Sequence, residues 1–180
     1  MKICIIGPSG AGKTTVATQL AKELSLPVYE FDAIYWDMTG NEYRKNSEEF
    51  IKSQIEMILS TDRWIIEGAY DKRLYPFLLE CSIIFRMNVP YYLRAIRLAN
   101  RFLISTIMRK KPKETLLNTV ELLRFSKKYD QRLNEFLALH NALSSKVIPI
   151  KNISLCRKIL KSELFYSFFF FFCCLVWLIN

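Results

Sequence analysis

Residues 7–15 read GPSGAGKTT, a stretch with three glycines, one lysine and two threonines. The spacing of Gly7, Gly12, Lys13 and Thr14 fits G-x-x-x-x-G-K-[ST], the pattern of a phosphate-binding loop. Glycines permit backbone torsions that turn successive N–H groups onto phosphate oxygens. The lysine offers a point charge to the β- and γ-phosphates, and the threonine hydroxyl offers a ligand to Mg²⁺. The stretch therefore predicts binding of ATP with Mg²⁺, through Gly7, Pro8, Ser9, Gly10, Ala11, Gly12, Lys13, Thr14 and Thr15.

Two carboxylates each follow an apolar run that is typical of a strand. Asp32 closes VYEFD, and Glu67 comes at the end of WIIEG. In a parallel sheet, the carboxyl ends of the strands face the ligand crevice. A carboxylate there holds metal-bound water or accepts the proton of an attacking hydroxyl. We therefore predict that both acids are catalytic and that both, with Thr14, belong to the metal site; a capping or loop acid is the alternative for each.

Basic residues are concentrated in the second half of the chain. Residues 1–85 carry 9 Lys and Arg against 12 Asp and Glu, whereas residues 86–161 carry 17 against 4. This excess favours an anionic partner, namely phosphates, nucleic acid or an anionic membrane surface. A solvated helix face is the alternative. Arg94, Arg97 and Arg101 are spaced i, i+3, i+7 and so share one face of a predicted helix.

Apolar runs that are typical of strands alternate with helical patterns along residues 1–163. Strands are predicted at about 2–7, 27–32, 63–68, 82–87 and 146–150, and Ser47 is a predicted helix N-cap. Two helices are expected at about 115–127 and 129–143. This alternation predicts one three-layer α/β domain with a five-stranded parallel sheet and helices on both faces.

Cysteine and histidine point away from thiol or metal chemistry. The five cysteines show no metal-ligand spacing, and His140 is the single histidine of the chain. The cysteines are interpreted as small buried hydrophobes in a reducing compartment. His140 is interpreted as a structural or surface helix residue. A cytoplasmic location is the default expectation, since ICIIG is too short for the apolar region of a signal peptide.

The tail at residues 164–180, LFYSFFFFFCCLVWLIN, carries no charge. A helix of its roughly 16 apolar positions spans about 24 Å, short of the roughly 30 Å hydrocarbon core of a bilayer. Three interpretations stay open. The tail is a marginal membrane anchor flanked by Lys158 and Lys161, an aberrant terminus, or an extension folded onto the domain. Cys173 and Cys174 are candidates for acylation if the tail meets a membrane.

Over about residues 1–160 the chain resembles the adenylate-kinase-related topology-modulation proteins (FlaR-like). The resemblance is carried by GPSGAGKTT, by LPVYEFDAIYW and by DRWIIEGAYD. Members typically show LPV-x-x-L-D, where the Asp matches Asp32, and W-I-I-D-G-N-Y, where Glu67 and Ala69 replace Asp and Asn. Adenylate kinases carry D-G-F-P-R at that strand end, whereas Asp71 stands at the place of the arginine here. This difference argues against a true adenylate kinase.

The resemblance implies a P-loop NTPase fold of the nucleoside/nucleotide-kinase type with a helical lid at about residues 94–128. Basic residues of that lid would clamp the γ-phosphate and exclude water during phosphoryl transfer. We therefore predict an ATP-dependent phosphotransferase whose acceptor is a nucleotide or a small hydroxylated metabolite. Its predicted catalytic residues are Lys13, Asp32, Glu67, Arg94, Arg97, Arg101 and Arg109.

Two further expectations concern partners. Tyr29, Tyr35, Trp36 and Tyr43 are candidates for lining an acceptor pocket, although each alone is more often a packing residue. The alternative function is a nucleotide-dependent protein that acts on DNA through the basic half. Membrane contact is expected only through residues 164–180.

Overall fold

The computed structural model of the chain describes residues 1–40, 42–69, 72–108 and 114–162. The described strands are β1 (Lys2–Ile6), β2 (Val28–Glu30), β3 (Trp36–Asp37), β4 (Arg44–Lys45), β5 (Trp64–Gly68), β6 (Ile83–Met87) and β7 (Val147–Ile150). Five of them form one parallel sheet in the spatial order β2-β5-β1-β6-β7, and two form a short antiparallel pair. The central strand pairs on both sides, so that Ile3 lies opposite Ile65 and Ile83. The predicted five-stranded parallel sheet is confirmed.

Helices cover both faces of the sheet because each strand alternates its side chains between two apolar layers. The described helices are α1 (Lys13–Leu24), α2 (Phe31–Tyr35), α3 (Glu48–Leu59), α4 (Tyr75–Glu80), α5 (Tyr91–Ile107), α6 (Leu116–Leu139), α7 (Asn141–Ser144) and α8 (153–162), with a 3₁₀ turn at Lys72–Leu74. Ile3 and Ile5 of β1 pack in one layer, which also holds Leu20 of α1. Cys4 and Ile6 pack in the other layer, with residues of α2, α3, α4, α6 and α7.

Three elements differ from the sequence-based expectation. The second strand ends at Glu30, so Asp32 lies in the first turn of α2 rather than at the end of a strand. Residues 116–139 form one helix, because no glycine or proline interrupts them and Thr115 caps their start. The polar stretch after Trp36 contributes the β3–β4 pair, in which Asp37 lies opposite Arg44.

Helix α3 begins as its sequence predicts. The Ser47 side chain accepts a hydrogen bond from the backbone N–H of Phe50, and Glu48 and Glu49 occupy the first turn. This hydroxyl satisfies one of the N–H groups that a helix start leaves unpaired, and the acids complement its dipole. The start of α1 is built differently, as the site below shows.

Some predictions from the sequence fall wholly or partly outside the described residues. They concern Arg109, Asp71, the lid at about residues 94–128 and the tail at residues 164–180 with Cys173 and Cys174. Among the described helices, none is long and apolar enough to cross a membrane.

The three described cysteines, Cys4, Cys81 and Cys156, are buried free thiols. Burial raises the pKa of Cys156 to about 11. This environment suits the interpretation of Cys156 as a small hydrophobe, since it opposes formation of the reactive thiolate.

Candidate phosphate-binding and phosphotransfer site

The glycine-rich loop connects the central strand β1 to α1. Gly10 and Gly12 adopt φ angles of 79° and 89°, a region that side chains with a Cβ rarely enter. A Cβ on Gly10 would also lie 2.8 Å from the backbone oxygen of Arg94. A Cβ on Gly7 would lie 2.8 Å from Cβ of Met87, at the end of β6. The glycines are therefore required both by torsion and by the close approach of neighbouring elements.

The start of α1 carries neither of the features that stabilise the start of α3. In the described structure its N-cap is Gly12, which offers no side-chain hydrogen bond, and its first turn contains no acid. The N–H groups of that turn and the positive end of the helix dipole are thus open to a negatively charged ligand. This is the arrangement by which a helix start binds phosphate.

Lys13 is the first residue of α1 and is only 8% exposed. Its Nζ lies 3.4 Å from the backbone oxygen of Pro8 and 3.9 Å from Oε2 of Glu67. The lysine is therefore held at the loop by a carbonyl on one side and a carboxylate on the other. The structure brings together these two residues, which the sequence predicts to be catalytic.

Glu67 is the penultimate residue of β5 and is 6% exposed. Its Oε1 accepts a hydrogen bond of 2.5 Å from the Thr14 hydroxyl. Burial raises the pKa of Glu67, and the negative charges of Asp32 and Glu30 raise it further. The positive charge of Lys13 and the hydrogen bond from Thr14 lower the same pKa. Because these buried and neighbouring carboxylates repel one another, the binding of a cation beside Glu67 is favoured.

Asp32 and Glu30 bring two further carboxylates towards Glu67. Glu30 pairs in register with Glu67 across β2 and β5. Asp32 is exposed in the first turn of α2 and still acts electrostatically on Glu67. Sequence reasoning missed Glu30, although the signal for it was its place near the end of the second predicted strand.

The oxygen atoms of Thr14 and Glu67 fit the ligand preference of Mg²⁺. Among the described residues, no three His, Cys, Asp or Glu side chains form a ready-made metal cage. This agrees with the usual coordination of Mg²⁺, which takes one or two protein oxygens together with substrate phosphates and water. Thr14 and Glu67 would hold the ion, and the negative charge of Asp32 acts on the Glu67 carboxylate.

The three predicted arginines of α5 have distinct surroundings. Arg94 is 3% exposed, and its Nη2 donates to Oδ2 of Asp130 over 2.9 Å. Arg97 donates from Nη1 to the backbone oxygens of Gly10 and Ala11. Arg101 forms a 2.8 Å ion pair with Glu114 through Nε.

Two residues of α6 also belong to this region and were not predicted from the sequence. Ser126 donates from Oγ to the backbone oxygen of Ser9 over 3.4 Å. Asp130 accepts from Arg94 and, through Oδ1, from Nη2 of Arg86 at 3.2 Å. No local motif could have revealed these residues, because their partners lie far away in the sequence.

The aromatic residues predicted to line an acceptor pocket occupy different environments. Tyr35 is buried, with the guanidinium of Arg73 3.9 Å from its ring centroid. Trp36 packs edge-on against Tyr35, with ring centroids 4.8 Å apart. Tyr43 is 37% exposed and interacts electrostatically with Asp32. An electrostatic interaction with a predicted catalytic acid is thus found for Tyr43.

The parallel sheet and the glycine-rich loop show that the chain has the P-loop NTPase fold. Its structural neighbours include kinases. Residues 3–66 match the model of the ATPase family associated with various cellular activities (AAA), a match that spans well under half of the chain. No curated protein matches the chain. The relation to FlaR-like topology-modulation proteins stays a prediction.

Solved kinase structures are similar to this chain over nearly its whole length. Shikimate kinase from Aquifex aeolicus is 15% identical with a TM-score of 0.52, covering 93% of this chain and 99% of that one. Shikimate kinase from Acinetobacter baumannii, in complex with shikimate, is 19% identical with a TM-score of 0.50, covering 91% and 92%. Deoxyadenosine kinase from M. mycoides, with bound dATP, is 14% identical with a TM-score of 0.51, covering 91% and 99%. At these identities the similarity establishes the fold.

Proposed function

We propose that the protein is an ATP-dependent phosphotransferase that acts on a small hydroxylated acceptor. The observation that carries this proposal is the convergence of Lys13 and Thr14, at the uncapped start of α1, on the buried carboxylate of Glu67. A glycine loop alone serves many chemistries. This loop adds a cation for phosphate, and the Thr14–Glu67 pair adds oxygen ligands for Mg²⁺.

In the proposed reaction, the oxygen of an acceptor hydroxyl forms a bond to the γ-phosphorus of ATP. The bond between that phosphorus and the β–γ bridging oxygen breaks, and ADP leaves. Asp32 orients the acceptor and takes the hydroxyl proton, a role that its exposed position permits, since its charge still acts on Glu67. Mg²⁺, when bound, neutralises charge on the phosphates.

Arg101 is the residue that we assign to charge stabilisation on the transferred phosphoryl group. Its side chain is 51% exposed, so exchanging Glu114 for a phosphate requires no unfolding of the core. The predicted lid at about residues 94–128 includes residues 109–113, which lie outside the described residues. Arg109 in that segment stays a predicted member of the clamp.

The similar structures support a small-molecule acceptor, because they are kinases named for shikimate and deoxyadenosine. The comparisons give no support to the DNA-binding alternative. In addition, Arg86, Arg94 and Arg97 donate to acceptors within the protein. This internal use of three arginines favours the phosphotransferase.

The test is an acceptor screen with γ-labelled ATP and Mg²⁺. Nucleosides, nucleotides and hydroxylated metabolites are incubated with the wild type and with Lys13→Ala in parallel. We expect one chemical class of acceptor to be labelled by the wild type and not by the variant. If ATP binds and no acceptor is labelled above the Lys13→Ala background, the phosphotransferase proposal is wrong.

A further inference from the structure

Three consecutive carbonyl oxygens of the phosphate loop are held by side chains from α5 and α6. The Ser9 oxygen accepts from Oγ of Ser126 at 3.4 Å. The Gly10 and Ala11 oxygens accept from Nη1 of Arg97 at 3.2 and 3.3 Å. One face of the loop is therefore occupied by donors that lie 86 to 117 residues further along the chain.

The orientation of these carbonyls determines where the loop directs its N–H groups. In a trans peptide the N–H points opposite to the carbonyl of the same peptide unit. The three fixed carbonyls therefore direct the N–H groups of Gly10, Ala11 and Gly12 away from the two helices. The Ala11 N–H is used within the loop, where it donates to Pro8 over 3.2 Å. The other two point to the side on which a bound phosphate must lie.

A guanidinium on the carbonyl also strengthens the N–H of the same peptide unit as a donor, because hydrogen bonds along a chain polarise one another. Helix α5 approaches the loop closely at both Gly10 and Gly12. A Cβ on Gly12 would lie 3.7 Å from Nη1 of Arg97, and Gly10 packs against the backbone of Arg94. Arg97 is thus placed to strengthen the N–H donors of the phosphate loop without contacting a ligand.

The two helices that carry these donors are themselves joined. Asp130 of α6 accepts from Arg94 of α5 and from Arg86 of β6. Two guanidinium groups share this single carboxylate, and Nε and Nη1 of Arg94 are buried without an acceptor among the described residues. Moving α6 away would leave the buried Arg94 charge unpaired, which is costly. The donors to the loop therefore lie on two helices, α5 and α6, that Asp130 holds together.

We propose that Arg97 and Ser126 are positioning residues that hold the phosphate loop in its binding conformation before nucleotide arrives. They act through the loop carbonyls rather than by contact with the γ-phosphate or the base. The inference rests on the proposed function, because it concerns the same nucleotide site. It assigns Arg97 a different task from Arg101.

The test compares binding of three probes, each with Mg²⁺, by calorimetry. ATP, ADP and inorganic tripolyphosphate are titrated into the wild type, Arg97→Ala, Ser126→Ala and Arg132→Ala. Arg132 is exposed on the same helix as Ser126, outside the predicted lid, and serves as the matched loss of one positive charge. Thermal unfolding of each variant checks that the fold is kept.

We expect Arg97→Ala to weaken all three probes by the same factor, about tenfold, as for the loss of charged hydrogen bonds. Ser126→Ala should weaken all three by a smaller common factor, and Arg132→Ala should leave them unchanged. If Arg97→Ala does not fold, Arg97→Gln keeps a donor without the charge and should give an intermediate loss common to the three probes.

Other patterns would overturn the inference. A loss for ATP and tripolyphosphate but not ADP means that Arg97 contacts the γ-phosphate. A loss for ATP and ADP but not tripolyphosphate means that it contacts the base. Unchanged affinities mean that it has no role in binding. These results are independent of the acceptor screen, so failure of the phosphotransferase proposal remains distinguishable from failure of this one.

Discussion

The hydroxyl of Thr14 donates to Oε1 of Glu67 over 2.5 Å and joins the start of α1 to the end of β5. A glutamate side chain, one methylene longer than that of aspartate, spans this distance. Lys13 lies 3.9 Å from the other oxygen of the same carboxylate. The two side chains that a P-loop offers to phosphate and metal are thus oriented by one acid.

This relationship predicts how substitutions of Glu67 change metal dependence. Glu67→Gln keeps an acceptor for Thr14 but removes the negative charge, so the gain in ATP affinity from Mg²⁺ should fall about tenfold. Glu67→Asp keeps the charge and should retain more of that gain. Calorimetry with and without Mg²⁺ measures both effects. Glu56→Gln, at an exposed site on α3, is the control; an undiminished gain in Glu67→Gln would contradict the assigned metal role.

Gly10 is predicted to be intolerant of any side chain. Its φ of 79° and the 2.8 Å approach to the Arg94 oxygen make Gly10→Ala strained as well as crowded. We expect a loss of about 1–3 kcal/mol in the free energy of unfolding, together with weaker ATP binding. Urea unfolding and calorimetry measure the two effects. Gly40→Ala is the control, since a Cβ there would approach nothing closer than 3.7 Å; equal stability of the two variants would refute the argument.

Trp64 separates the contribution of packing from that of its indole N–H. The side chain is fully buried in the layer that contains Phe77, and its Nε1 has no acceptor among the described residues. Trp64→Ala should lower the free energy of unfolding by about 3–5 kcal/mol. Trp64→Phe should cost much less, because it removes an unsatisfied donor while keeping an aromatic ring. Urea unfolding compares them, and similar losses for both would contradict this expectation.

A pH-dependent contribution is predicted for the ion pair between α1 and α8. Nε of Arg157 donates to Oε2 of Glu23 over 2.9 Å, and this hydrogen bond lowers the pKa of the Glu23 carboxyl. A lowered pKa stabilises the folded state above the unfolded value, which is near 4.5, and the contribution is lost as the pH falls through the folded value. Glu23→Gln should therefore lower Tm slightly at pH 7 and leave it unchanged at pH 3.

The control for that comparison is Glu121→Gln, at an exposed site on α6. Removing its charge should give the same small change, if any, at both pH values. A Tm difference for Glu23→Gln that persists at pH 3 would mean that the effect comes from packing of the side chain. Because both partners are at the surface, added salt should reduce the difference at pH 7.

The sheet was predictable from the sequence because its signals are local. Continuous apolar runs such as that of Ile3 to Ile6 indicate strands buried on both faces, and Ser47 with two acids indicates a helix start. The phosphate loop was predictable for the same reason, since its pattern lies within nine residues. Asp32 was assigned to a strand because the run VYEFD continues the apolar character of β2 into α2, so the boundary carries no local signal.

The contacts that α5 and α6 make around the phosphate loop were not predictable in the same way. Ser126 reads as an ordinary polar position of a helix, and its contact with Ser9 depends on how α6 packs. Arg94 and Arg97 are one turn apart on α5, yet one is buried against Asp130 and the other reaches the loop. Helical periodicity places such residues on one face but does not say which partner each finds.

The strand order has a consequence for how the protein is made. The first strand to be synthesised is the centre of the sheet, and its two neighbours begin only at Trp64 and Ile83. The donors that hold the loop come later still, at Arg97 and Ser126. Because a ribosome adds about 5–20 residues per second, the nascent chain carries its phosphate loop unsupported for seconds. We therefore expect the nascent chain to bind ATP only late in its synthesis, when about two thirds of the chain has emerged from the ribosome.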